Sequence, residues 1–425
     1  MNERDGMRRD STPTPRPDIY ERVPVRRPRP VAFSEASGAH AGAEAATGTE
    51  TGVGVLGVEV CQSVQAFDNS VPVIAMKPTL VRVYLDDATV AAPVRLRGEL
   101  CWRKSKNGPK TYLAATNELR LDPAAPLAIA DKRDDLRRSL NFRLPEAALQ
   151  AGALYLTLNR LIQTGGGDIP FHGETAAQVE MLTAPPIRVR CIGLRYTDPD
   201  TDVTHTPNAV HCSYFRSFLQ RAYPVSNVIW SQIVVDADFA PPFGGATAIL
   251  ANAQIAAIRN SEINAGTDPR THYYGLVDDA NGRHFMRGRA SGIPAGPQPD
   301  TVASGPCGAP DGFAGDTDLS YADWYGAHEL GHTFGRFHPG FPPGSQDASD
   351  PTFPYENGQI SDADRKYVGY DPGDPALSLP ERILPGTRHH DVMTYAERQW
   401  VSAYTFDAIR LRLAEEDEQF APLIA

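Results

Sequence analysis

The sequence predicts a multidomain chain in which an all-β antiparallel sandwich precedes an α/β layer with α+β additions. Three observations carry that prediction. Apolar side chains recur with period two over about residues 53–184, strand and helix patterns alternate from 185 onward, and clusters of Gly, Pro, Asn and Asp punctuate both stretches. At 425 residues with 41% hydrophobic content, the chain is long enough for more than one core.

Residues 1–52 open with an Arg/Pro-rich stretch (TPTPRPDIYERVPVRRPRP) and pass into an Ala/Gly/Thr-rich one (SGAHAGAEAATGTETG). Neither offers enough apolar side chain to offset ordering entropy, so a disordered tail is expected. Over 53–184, Val81, Val83 and Leu85 alternate with Arg82 and Tyr84. Leu140, Phe142 and Leu144 alternate with Asn141 and Arg143, and Leu154, Leu156 and Leu158 with Tyr155 and Thr157. Short half-buried strands separated by turn-rich segments (FDNS, KNGPK, DPAAP, TGGGD) predict a sandwich of immunoglobulin type.

Over 185–425 the pattern changes. IRVRCIGLRY reads as a strand, NAVHCSYFRSFLQRAY as an amphipathic helix, NVIWSQIVVDADF as a strand and ATAILANAQIAAIRNSEI as a helix. HYYGLVDD and RHFMRGRASG read as further strands. A helix is expected from Tyr321 to Gly335, with Ser320 and Asp323 as its cap and acidic first turn. A long irregular segment, 339–386, and a closing helix near Tyr404–Glu418 complete the reading.

The chemistry concentrates in His328-Glu329-Leu330-Gly331-His332-Thr333-Phe334-Gly335-Arg336-Phe337-His338. On a helix His328 and His332 lie one turn apart on one face, so both imidazoles can reach one ion. Glu329 is rotated off the ligand face yet stays near the open coordination position, where a carboxylate can take a proton from the attacking water. Gly335 can end the helix with positive φ and turn the chain back so that His338 becomes the third ligand. Three protein ligands leave a fourth position for water or substrate, which marks a catalytic rather than a structural zinc site. Ala327, Leu330 and Phe334 supply an apolar stripe that seats the helix, and Gly326 and Gly331 inside it imply close backbone packing.

This extended pattern resembles the zinc signature of the metzincin clan of metallopeptidases. Asp391-Val392-Met393-Thr394-Tyr395, shortly before the last helix, resembles the clan's methionine turn. The resemblance covers 185–425 and is similar to bacterial members that carry a sandwich domain in front. It implies a zinc metalloendopeptidase with one catalytic Zn2+ and Met393 as the apolar floor beneath it. Tyr395 sits where some branches carry a tyrosine that stabilises the oxyanion. The resemblance also implies an edge strand that binds substrate by main-chain pairing, with Phe285 to Ser291, and in it Arg287, Gly288, Arg289 and Ala290, as the candidate.

The remaining features are expected to be structural. His389 and His390 flank the turn, but three imidazoles already suffice. Asp391 can orient a neighbour by hydrogen bonding. Asp316 and Asp318 read as helix-capping carboxylates, and Ca2+ there has no further support. Cys61, Cys101, Cys191, Cys212 and Cys307 form no CxxC pair, so buried free thiols are expected, a Cys212–Cys307 bridge being the alternative after export. A net charge of -11 argues against nucleic acid and for a protein or peptide substrate. No signal peptide or membrane-spanning run is recognisable, so the expectation is a cytoplasmic monomer, with signal-independent secretion as the alternative. The competing functional reading is a catalytically silent or narrowly specific binding or toxin protein that recognises a surface glycan or protein through the sandwich.

Overall fold

The computed structural model describes residues 52–241, 243–280, 286–310, 313, 316, 318–344 and 349–420. The expected tail, Gly52 aside, lies outside the described residues, as does Phe285. Strands Val53–Cys61, Leu80–Leu85 and Leu140–Arg143 pair antiparallel, and Phe171–Gly173 adds to Val53–Cys61 in parallel, which makes a four-stranded sheet. A second sheet centres on Gly152–Gln163, flanked antiparallel by Val94–Arg103 and Ala176–Leu182 with shorter strands beyond. Val81, Val83, Leu140 and Phe142 of the first sheet share one core with Leu96, Leu100, Leu154, Leu156 and Leu158 of the second.

The half-buried alternation holds along Gly152–Gln163, where Leu154, Leu156 and Leu158 are buried while Tyr155 and Thr157 are only half so. It fails for Leu80–Leu85, which is buried on both faces, Arg82 and Tyr84 included. The cause is a charge network under that strand. Glu59 accepts from the Tyr84 hydroxyl at 2.5 Å and from Arg133 Nη2 at 2.6 Å, Arg133 being the last residue of the short helix α1 (Ile129–Arg133). Arg82 donates to the carbonyls of Lys132, Arg133 and Asp135. Buried charges are tolerable when paired and bonded this fully, and period-two reading assigns such residues to solvent.

The second half is a sheet ordered Val228–Asp236, Ile187–Asp198, Thr271–Asp278, Ala303–Cys307, Arg289–Ala290, the first four mutually parallel and the last antiparallel at the edge. Its central strands are buried on both faces. Cys191 and Tyr274 face one core, with helices α2 (Ala209–Ala222), α4 (Ala322–Thr333) and α5 (Ala403–Phe420). Their neighbours Ile192 and Tyr273 face the opposite core, which holds Ala248, Ala251 and Ile255 of α3 (Thr247–Asn264). Helices connecting parallel strands cover both faces, as such strands require. α2 and α4 approach closely because position 326 is glycine; a Cβ there would lie 2.7 Å from the Phe215 ring.

Two expectations need correction. The box at the start of α4 does not form. Tyr321 is the capping position without a side-chain cap, and the Ser320 hydroxyl, one residue earlier, is shared between Ala322 N–H at 3.3 Å and His211 Nδ1 at 2.7 Å; Asp323 does lie in the first turn. Nor is 339–386 wholly irregular. Tyr367–Asp371 pairs antiparallel with Arg382–Pro385 and, on its other side, with Val64–Ala66. Strands of three to five residues amid Pro, Gly and Asp give too little periodicity to read. This small sheet ties the early strands to the late segment, and Trp400 Nε1 adds a bond to the Ser63 carbonyl at 2.7 Å. All five cysteines are free and buried; Cys191 and Cys212 sulfurs lie 3.7 Å apart, a different neighbour pair from Cys212 and Cys307. Among the described residues no helix is long and apolar enough to cross a membrane.

Candidate metal centre

α4 carries His328, Glu329 and His332, all buried. It stops at Thr333 in a C-terminal hydrogen-bond pair: Gly335 N–H donates to His332 O at 2.8 Å and Arg336 N–H to Gly331 O at 3.0 Å. Gly335 has φ +79, the left-handed conformation that this ending requires and that costs glycine nothing. The reversal has two consequences. Arg336 presents its carbonyl to His332 Nδ1 at 2.7 Å, and His338 returns to the helix face.

His338 Nε2 lies 3.2 Å from His328 Nε2 and 3.1 Å from His332 Nε2. Two nitrogens each about 2.0–2.1 Å from one tetrahedral zinc stand about 3.3–3.4 Å apart, so these separations fit a shared ion. The donor chemistry fits as well. His328 Nδ1 contacts the Val392 carbonyl at 2.8 Å, and carbonyl oxygens only accept, so the Nδ1 atoms of His328 and His332 carry the protons. Their Nε2 lone pairs therefore point towards His338 Nε2, where one cation could be shared. Burial, then the neighbouring His332 and His338, pushes the His328 pKa well below 6.5, which keeps it in the neutral form a metal needs. The three histidines thus make a site able to hold a metal ion, their ligand atoms all lying within 4.8 Å of one another.

The turn over Asp391–Tyr395 packs against the helix beside this site. Met393 is 1% exposed, and its Sδ would lie only 2.3 Å from a Cβ on Gly331; glycine at 331 is what lets the turn seat against the helix. Asp391 holds the turn in shape, accepting from Met393 N–H at 2.8 Å and from Ser402 N–H at 3.0 Å. Burial lifts the Asp391 pKa even though these donors oppose it. The same turn supplies the Val392 carbonyl that orients His328. Tyr395 is 45% exposed, with its ring centroid 4.8 Å from that of His338 and 5.6 Å from that of His328.

Glu329 sits beside the edge strand. A Cβ on Gly288 would fall 2.4 Å from Glu329 Oε1 and 2.4 Å from Tyr325 Cε1, and Gly288 N–H donates to the Tyr325 hydroxyl at 2.9 Å. Arg287, Gly288, Arg289 and Ala290 therefore run directly past the carboxylate, with Arg289–Ala290 paired to Ala303 and Ser304. Tyr325 is a neighbour that sequence reasoning missed. Its spacing held the signal, since it lies four positions before Glu329 and so on the same helix face.

The other expected bystanders stay apart from the centre. His389 Nδ1 contacts the Pro385 carbonyl at 3.1 Å, and burial lowers its pKa to about 4. His390 bonds the Glu397 carbonyl at 2.8 Å and stacks on Phe341. Asp316 accepts the Trp324 indole N–H at 2.9 Å and Asp318 the Ser320 N–H at 2.8 Å; both act as turn acceptors, and among the described residues they join no metal-ligating group.

No protein-family model matches the chain, and no curated protein matches it. Among solved structures, the metalloproteinase-II of Bacteroides fragilis is similar over 57% of this chain and 81% of that one, at 12% identity and a TM-score of 0.23. A likeness of that size carries no argument about activity.

Proposed function

We propose that this chain is a zinc-dependent endopeptidase of metzincin type, with an immunoglobulin-like sandwich before the catalytic domain. The observation that carries this reading is the convergence of three Nε2 atoms around one point, with the Glu329 carboxylate on the same helix. Zinc held by His328, His332 and His338 supplies Lewis-acid polarisation of the scissile carbonyl and of the attacking water.

The chain's own residues do the rest. Glu329, packed between Gly288 and Tyr325, takes the proton of the attacking water and delivers it to the leaving amine. The Tyr395 hydroxyl, on a half-exposed ring beside two of the ligands, donates to the oxyanion as charge develops there. The edge strand at Arg287–Ala290 aligns an extended substrate by main-chain pairing, which brings its carbonyl past Glu329. Met393 and Asp391 fix the floor on which the ligands rest.

Purified protein loaded with zinc, incubated with unfolded casein, tests the proposal. Cleavage abolished by 1,10-phenanthroline and restored by added zinc is the expected result. Intact casein in the presence of stoichiometric bound zinc would reject the peptidase reading.

A further inference from the structure

The segment beside Glu329 carries two charges that the fold leaves unused. Arg287 and Arg289 are both exposed, while Gly288 and Ala290 between and after them are half-buried against the body of the protein. Neither arginine has an ion-pair partner among the described residues, although acidic side chains outnumber basic ones by 52 to 41. Elsewhere on the same sheet the arginines are matched: Arg190 pairs with Glu262 at 2.7 Å and Arg188 with Asp268 at 2.9 Å. The contrast is local to the edge that faces the centre. Arg287 also lies close enough to Tyr325 to act on its phenol electrostatically.

We infer that the edge formed by Arg287 and Arg289 selects peptide substrates bearing Asp or Glu close to the scissile bond, a specificity that rests on the endopeptidase reading above. A substrate strand laid antiparallel on this edge places its side chains about 4.5–5.5 Å, Cβ to Cβ, from those directly opposite. At that spacing opposite charges attract and like charges repel. An acidic residue opposite either arginine meets an unpaired guanidinium, which can bind a carboxylate through two parallel N–H donors. A basic residue there meets a like charge. The gain is modest because both arginines are solvated; cross-strand charge pairs contribute about 0.2–1 kcal/mol, a factor of about 1.4–5 each. Screening then shrinks the preference as salt approaches 1 M, where the Debye length falls to about 3 Å.

A zinc-loaded sample and a peptide library, read by mass spectrometry, test this. Cleaved peptides are expected to be enriched in Asp or Glu within three residues of the cut. Matched peptides differing only in that residue should show a kcat/KM ratio, acidic over neutral, of about 2–5 at low salt that falls towards 1 at 1 M NaCl. The double variant Arg287→Gln, Arg289→Gln should bring that ratio to about 1, and Arg287→Glu with Arg289→Glu should invert it in favour of Lys and Arg. Efficient cleavage with no acidic preference, or a preference that survives both variants, overturns the inference and leaves the peptidase reading intact. Should no peptide be cut by zinc-loaded protein, the peptidase reading fails. The inference then stands or falls on binding alone: fluorescence anisotropy with an acidic and a neutral peptide, compared between parent and double-Gln variant, overturns it if the two peptides bind equally to the parent.

Discussion

Alanine at position 331 sets the packing of the turn at Met393 against ordinary helix energetics. In an exposed helix interior Gly→Ala stabilises by about 1 kcal/mol. At 331 the new Cβ would stand 2.3 Å from Met393 Sδ, and Met393 cannot retreat freely, being buried with its N–H bound to Asp391. Overpacking of this kind costs about 1–3 kcal/mol, so the net change runs from about neutral to about 2 kcal/mol of destabilisation. The metal should report the change more sharply. Displacing the turn moves the Val392 carbonyl from His328 Nδ1, and losing such an orienting bond costs about 10–100-fold in metal affinity. Urea denaturation of metal-free protein gives the first quantity, and zinc competition against a chromogenic chelator gives the second. Repeating the substitution in a Met393→Ala background removes the clash, and there Gly331→Ala should stabilise. A Gly331→Ala protein about 1 kcal/mol more stable than its parent, with unchanged zinc affinity, would show that the turn does not press on the helix.

Further outcomes follow from the same geometry. Glu329→Ala should keep the fold and the zinc yet lose at least about a thousandfold in kcat on casein-derived peptides, and a smaller loss would remove Glu329 from the role of base. Tyr395→Phe should lower kcat by about a hundredfold with zinc content unchanged if its hydroxyl meets the oxyanion. Because His328 is held neutral in the folded protein, the unfolded chain binds more protons below 6.5. Metal-free stability is therefore full above that pH and declines as pH falls toward the depressed folded pKa, and zinc should leave in the same window; equal metal content at pH 7 and pH 5 would contradict this. Lys77 is buried, its Nζ donates to Gln220 O at 2.6 Å, and burial drops its pKa to about 7 from 10.5. The unfolded chain then holds more protons between those values, so stability should rise from pH 7 toward 10.5, and Lys77→Met should flatten that rise in urea titrations at pH 7 and 9.

What the residues announced depended on whether their chemistry was local. The spacing of His328, His332 and His338 needed only helix geometry and one glycine, and the structure brings their Nε2 atoms together through that turn. The alternation of strands and helices after 185 was legible because each element is long enough to show its period. Tyr325 and the approach of Gly288 to Glu329 were less so, since they join residues 37 or more positions apart and a glycine carries no side-chain signal. Arg82 and Tyr84 read as solvent-facing because their partners, Glu59 and the carbonyls at the end of α1, are brought in by the fold. The cap at Ser320 was legible only in part: the helix opens one residue later, at Tyr321, and the Ser320 hydroxyl is shared between Ala322 N–H and His211, far away in sequence.

The proposed peptidase chemistry depends on three imidazoles sharing one zinc ion while leaving room beside it for substrate and for Glu329. Diffraction from crystals grown with zinc, collected on both sides of its absorption edge, would locate that ion. A single anomalous peak is expected about 2.0–2.1 Å from the Nε2 atoms of His328, His332 and His338, with no fourth protein side chain bound. An absence of any peak between these rings, or a fourth side chain closing the coordination sphere, would overturn the catalytic zinc centre.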